Sequence, residues 1–198
     1  MEVRAINTVV ERDIQEIISD SQIFDAFRGK LILVTGATGL IGSMVARSLI
    51  AANDAYHLSL RVICHVRNIE KAHHMFSDIV DSDILTFVDT PLESLDIACD
   101  YIMHGAAPTK SKYFVEHPVD TIRTSIHGTE RMLELGKEQK IKGMVYLSSM
   151  EQYGVPYESG QVMTEDRIGY LDHLNVRSSY SESKRLCECY CKSYAVEF

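Results

Sequence analysis

Between a short apolar run and a helical repeat sits "VTGATGLIG" (34–42), with glycines at 36, 39 and 42. The run before it, "KLILVT" (30–35), is apolar at successive positions, as a strand buried on both faces of a sheet must be. The run after it, "LIGSMVARSLIAA", spaces its apolar residues at helical period. A strand, a glycine-rich turn and a helix in that order make a phosphate-binding unit. Gly36 permits the tight turn, Gly39 lets backbone approach a pyrophosphate, and Gly42 lets helix and strand close together. The free N–H groups and positive dipole of the following helix then face the phosphates, so Thr38, Leu40 and Ile41 join the three glycines as cofactor-binding candidates. A lone glycine pattern also fits an ordinary strand–helix turn. Its place at the head of a strand–helix alternation favours the dinucleotide reading.

That alternation runs on. "RVICHV" (61–66) reads as a strand, "IEKAHHMF" as a short helix, and "ILTFV" (84–88) and "YIMHGAA" (101–107) as strands. A long helix is expected from near Pro118 to Lys140, then a strand "GMVYLSS" (143–149), then a last helix from near Tyr180 to the terminus. The fold class is therefore α/β, a Rossmann-type doubly wound parallel sheet in three layers. Ahead of it, Thr8-Val9-Val10-Glu11 has the form of a capping box, with apolar residues at Val10, Ile14, Ile17 and Ile18. That predicts an amphipathic helix to about Phe27. Residues 1–29 are expected to be a helical extension and 30–198 the dinucleotide-binding domain.

With 198 residues, 45% of them hydrophobic, the chain can bury one substantial core. The net charge of −8 argues against nucleic acid as a partner. Neither a signal peptide nor a run of roughly 18 apolar residues is visible, so a cytoplasmic protein without a membrane partner is expected. The five cysteines are odd in number and scattered apart from "CECYC" (187–191), where Cys187 and Cys191 share a helix face. They read as reduced thiols for packing, and no metal site is expected, because no second ligand pair has zinc-like spacing.

Three motifs in order, the glycine turn, "YLSSMEQYG" (146–154) and Tyr180-x-x-x-Lys184, resemble those of the extended short-chain dehydrogenase/reductase superfamily. "HGAA" (104–107), "GTERML" (128–133) and a Ser-x-x-x-Tyr-Gly strand ending are similar to its nucleotide-sugar epimerase/dehydratase/decarboxylase branch. The resemblance covers nearly all of the chain from Lys30 onward. It implies an oxidoreductase that moves a hydride at a sugar hydroxyl. Tyr180 and Lys184, four residues apart, share a helix face. A free phenol titrates near pH 10, and a nearby ammonium group and the positive nicotinamide ring both favour its phenolate, so Tyr180 can accept a sugar hydroxyl proton. The resemblance places the orienting hydroxyl four residues before Tyr153, which selects Ser149 over Ser148.

Met150 and Glu151 bear on the reaction. Sugar 4,6-dehydratases resembling this chain carry Thr-Asp-Glu here, and a thioether cannot donate the proton that the Asp supplies. Glu151 suits a decarboxylase or an epimerase, and UDP-glucuronate decarboxylases have a similar pattern. Ser125 stands where many relatives have Asn, and His104, His117 and His127 read as structural. For the cofactor, Val66 occupies the position of the acid that usually marks NAD, and Arg67 beside it can pair with a 2′-phosphate or stack on adenine. NADP is favoured slightly over NAD. Asp89 after the third strand, with His104, Ala106 and Ala107 after the fourth, are further cofactor-binding candidates by resemblance.

Extended relatives continue well beyond the catalytic helix, whereas this chain ends with it. The expectation is a cofactor domain without its substrate domain, impaired in turnover. Superfamily members usually pair through their two long helices, so a homodimer is expected, with Leu186, Tyr190 and Tyr194 as an apolar stripe. Alternatives are an NADP-dependent reductase of a small carbonyl compound and a non-catalytic dinucleotide-binding module.

Overall fold

The computed structural model describes residues 8–79, 83–158, 160 and 162–198. Two compact units make up the chain. One takes the residues up to Gly105 together with Leu135–Val145, and the other takes Ala106–Glu134 and Tyr146–Phe198.

In the first unit, the continuously apolar runs become strands. β1 (Leu31–Thr35), β2 (Arg61–His65), β3 (Leu85–Val88), β4 (Tyr101–His104) and β5 (Gly143–Tyr146) lie in the order β3-β2-β1-β4-β5. β1 pairs in parallel with β2, Leu31 opposite Arg61 through Thr35 opposite His65, and with β4, Ile32 opposite Tyr101 through Thr35 opposite His104. β2 pairs in parallel with β3 from Val62–Leu85 to His65–Val88. The chain steps outward from β1 in one direction, returns, and steps outward in the other. With helices in the crossovers, that order is a doubly wound sheet, as expected. The reversal falls between β1 and β4, at whose C-terminal ends such sheets take ligands.

α2 (Leu40–Tyr56) and α3 (Ile69–Met75) follow β1 and β2. The Arg47 guanidinium joins them by a forked bond to Asp78, 2.5 and 2.9 Å, and a third bond to the Met75 carbonyl at 2.7 Å. Leu33, Val34, Leu58, Leu60, Val62 and Ile102 are fully buried at the centre.

The N-terminal helix is shorter than its apolar spacing predicts. α1 spans Thr8–Ile17, and a separate 3-10 run covers Ser21–Phe27. Ser19 and Asp20 break it. The Ser19 hydroxyl donates to the Glu16 carbonyl, and the Asp20 carboxylate accepts from Gln22 N–H, capping a new start. Ile14, Ile18 and Phe24 are buried in this unit, and Phe27 packs edge-on to Tyr101 with centroids 5.0 Å apart.

The second unit holds α4 (Ser111–Glu116), the first seventeen residues of α5 (Pro118–Gln139), a 3-10 turn at Met150–Tyr153 and α6 (Ser178–Glu197). The strand expected through Ser149 ends at Tyr146, because the Leu147 carbonyl accepts from Lys184 Nζ at 2.6 Å. After the turn, Val155 and Tyr170 exchange backbone bonds at 2.9 and 3.0 Å and close a loop. Cys187 is fully buried and its thiol donates to the Ser125 carbonyl at 3.4 Å, which packs α6 on α5. No helix among the described residues is long and apolar enough to cross a membrane.

Candidate active site

The first unit supplies the glycine turn. Gly36 has φ +70°, a left-handed conformation that side chains resist. A Cβ on Gly42 would lie 2.3 Å from the Gly36 carbonyl oxygen and 3.0 Å from Ala37 Cα, so only hydrogen fits between helix and strand. Gly39 caps α2 without a side chain, so no side chain occupies the N–H groups of its first turn. Leu40 and Ile41 are exposed there, and Thr38 is half-buried. Backbone brought close, a bare cap and a helix dipole together suit a phosphate. The residues fit a dinucleotide.

The other candidates of this unit lie at strand ends. His104 closes β4 fully buried, its Nδ1 2.7 Å from Thr35 Oγ1, which also accepts from Gly105 N–H at 3.2 Å. His104 therefore ties the ends of β1 and β4 together. Arg67 and Asp89 are exposed just beyond β2 and β3. Beside them His65, which the sequence did not single out, is buried with Nε2 2.8 Å from the Thr90 carbonyl. Burial lowers its affinity for a proton despite that bond and the nearby carboxylates of Asp89 and Glu93.

All four acid–base candidates fall in the second unit. Tyr180 lies in the first turn of α6, buried, its ring stacked on Phe114 at 4.2 Å and 4°. One helical turn on, Lys184 is 3% exposed, with Nζ 4.5 Å from the Tyr146 ring centre and 5.9 Å from that of Tyr180. Burial pushes its pKa from 10.5 down to about 8. It is still charged at neutral pH, and its cation faces two aromatic rings. Tyr146 is held neutral, its pKa raised first by burial and then by the Cys187 thiol.

Ser149 caps the 3-10 turn, its Oγ accepting from Glu151 N–H at 3.2 Å. The hydroxyl proton is not used in that bond. Glu151 is held at both oxygens. Oε1 accepts from Arg177 Nη2 at 3.0 Å, and Oε2 from Ser181 Oγ at 3.3 Å. Met150 is exposed beside it. Ala106 and Ala107 are half-buried in this unit.

Sequence reasoning missed Phe114 and Arg177. Phe114 stands 66 residues before its ring partner and carries no local signal. Arg177 precedes Tyr180 by three and so shares its helix face, a signal that was available. Ser125 spends its hydroxyl within α5, donating to the Thr121 carbonyl at 2.9 Å. Of the expected stripe, Leu186 remains exposed, while Tyr190 and Tyr194 donate to Glu130 and Glu134 of α5. No cluster of three metal-ligating side chains occurs among the described residues, and the Cys191 thiol is pushed up to about 11, chiefly by burial.

Comparison with known proteins gives this geometry a family. UDP-glucuronic acid decarboxylase 1 of Danio rerio is 29% identical over 170 residues, covering 83% of this chain and 38% of the relative. The structure of epimerase Mth375 from Methanothermobacter thermautotrophicus superposes with a TM-score of 0.72 at 23% identity, over 92% of this chain and 52% of that one. UDP-glucuronic acid 4-epimerase from Bacillus cereus, solved with UDP-glucuronic acid and NAD, gives 0.69 at 23% identity, over 85% and 53%. The chain thus spans between about two fifths and one half of these proteins. The model of the NAD dependent epimerase/dehydratase family matches residues 32–198, and to that family this chain belongs.

Proposed function

We propose that this chain is the dinucleotide-binding and acid–base portion of an enzyme that oxidises a ring hydroxyl of a nucleotide sugar and then works on the neighbouring carbon. Residues 30–198 form that portion, and 8–29 a helical extension, the first seven residues of the expected 1–29 extension lying outside the described ones. The observation that carries the reading is Tyr180 held flat on Phe114 with the Lys184 cation 5.9 Å from its ring centre, while the adjacent Ser181 bonds Glu151.

When bound, the nicotinamide supplies a hydride acceptor. Gly36, Gly39 and Gly42 hold backbone where a pyrophosphate needs it, with Thr38, Leu40 and Ile41 around the phosphates. Tyr180 takes the hydroxyl proton as the carbon it belongs to becomes a ketone. Lys184, cationic below about pH 8, faces the Tyr180 ring and stabilises negative charge that develops on it as the proton moves. Ser149 donates its unused proton to the reacting oxygen.

A uronic acid sugar oxidised at the carbon β to its carboxylate loses carbon dioxide readily, leaving the electron pair on the carbon between. Glu151 relays a solvent proton to that carbon. Met150 cannot protonate a leaving hydroxyl, which disfavours dehydration and supports the decarboxylase or epimerase reading. The decarboxylase relative from Danio rerio favours the first of these.

For the cofactor, the exposed Arg67 after β2 supports NADP as the preferred form, and Asp89, His104, Ala106 and Ala107 are further candidate contacts by resemblance. Exposed Val119, Ile122 and Leu186 on α5 and α6 support a homodimer, which sedimentation equilibrium decides.

Single-turnover mixing of excess protein with NAD or NADP and UDP-glucuronic acid tests the function. Reduced nicotinamide should form, and Tyr180→Phe should slow its formation by about 10²–10⁴. The variant keeps its stack on Phe114, so its melting temperature should hardly change. Formation indifferent to the lost hydroxyl would remove Tyr180 from the chemistry, and no reduction by the wild type would remove the substrate class.

A further inference from the structure

One guanidinium touches every segment that carries the acid–base set. Arg177 Nη2 donates to Glu151 Oε1 at 3.0 Å and approaches Ser111 Oγ at 3.4 Å, and Cζ lies 5.1 Å from the centre of the Phe114 ring, the ring on which Tyr180 stacks. Its own backbone is fixed, with its N–H donating to Asn175 Oδ1 at 2.9 Å. Nη1 is buried with no hydrogen-bond partner, so the orientation of the group rests on the Nη2 side and on the ring. The 3-10 turn bearing Glu151, α4 bearing Phe114 and α6 bearing Tyr180 thus meet at this one side chain.

Stability does not account for such an arrangement. The Arg177 and Glu151 side chains are 38% and 32% exposed, and ion pairs that open to water contribute little to stability. α4 is already pinned to α6 by the Ser179 hydroxyl, which donates to the Phe114 carbonyl at 3.3 Å. What the guanidinium adds is direction. A carboxylate on a short 3-10 turn can rotate about its side-chain bonds, and two anchors, Arg177 and Ser181, fix both of its oxygens.

We propose that Arg177 is a positioning residue for Glu151, aiming its carboxylate at the substrate carbon next to the oxidised one. This rests on the functional reading above, in which Tyr180 serves the oxidation and Glu151 the proton transfer that follows. Arg177 governs the second step and leaves the first nearly untouched.

Single-turnover kinetics separates the two steps. Reduced nicotinamide reports the oxidation, and the decarboxylated nucleotide sugar reports completion. In Arg177→Gln, reduced nicotinamide should appear within about threefold of the wild-type rate and then persist. Product should form about a hundredfold more slowly, the scale of loss when a catalytic group is misaimed. Glu151→Gln should show the same signature, and the double variant should be no worse than either single one, because both changes disable one device. Arg177→Lys keeps the charge but not the planar group that lies over Phe114 while bonding Glu151, so it should recover only about a tenth of the lost rate. Melting temperatures of all variants should stay close to wild type. Product formation unchanged in Arg177→Gln, equal slowing of both steps, or losses that add in the double variant would each overturn the assignment while the functional reading stood. Failure of the wild type to reduce the nicotinamide would bring down that reading, and this inference with it.

Discussion

Lys184 shows how burial sets the chemistry of a single residue. Its ammonium group gains the Leu147 carbonyl and two ring faces but loses water, and the loss dominates, which brings its pKa from 10.5 to about 8. Below about pH 8 the lysine is charged whether the chain is folded or unfolded, and the folded state bears the full cost of burying the charge. Between about 8 and 10.5 the folded chain has shed a proton that the unfolded chain still holds, so stability rises with pH across that window. The stability of the wild type relative to Lys184→Met should therefore increase by on the order of 2–3 kcal/mol from pH 7 to pH 11. Urea unfolding of both proteins at the two pH values checks the sign, and a difference that is flat or falls would contradict it. At this scale the sequence was informative wherever spacing along one helix does the work, as for Tyr180 and Lys184. It was silent on Phe114, because a ring stack between α4 and α6 leaves no local pattern.

Among the elements, the β1 turn and α2 depend most on one residue. Gly42→Ala places a methyl carbon 2.3 Å from a backbone oxygen, and backbone cannot step aside as a side-chain end can. The variant should lose roughly 1–3 kcal/mol of stability and, because the turn must open, bind NAD at least tenfold more weakly. Thermal unfolding and calorimetric titration read the two effects, and a variant with wild-type values for both would refute the close-packing argument. The helices at 118–139 and 178–197 agree with their expected bounds within two residues, since long periodic patterns outweigh local competition. The N-terminal element was misjudged over its second half because apolar spacing continued past Ser19 and Asp20, whose side chains satisfy backbone groups and end the helix. Strand ends were overextended where a side chain claims the backbone, as Lys184 does at Leu147.

For the molecule as a whole, net charge −8 leaves no general attraction for an anionic cofactor, so binding must rest on local groups. Arg67 is the local group proposed to set the choice between the two nicotinamide cofactors. The residue is exposed beyond β2, and its removal should not disturb the fold. Titration with NADP should show binding weakened about tenfold or more in Arg67→Ala, with NAD binding changed by less than about twofold. Equal losses for both, or none, would leave the 2′-phosphate without its proposed partner.

The order of strands and helices, the glycine turn and the spacing of Tyr180 and Lys184 were all determined by the sequence itself. Each depends on neighbours within a few residues or on a repeat along one element, and such relations survive in one dimension. Only the tertiary structure decided that Lys184 loses its water, that Tyr180 lies on Phe114, and that Glu151 is held by Arg177 and Ser181. Those depend on which distant segments fold against one another, and burial and through-space contact have no signature until the chain has closed on itself.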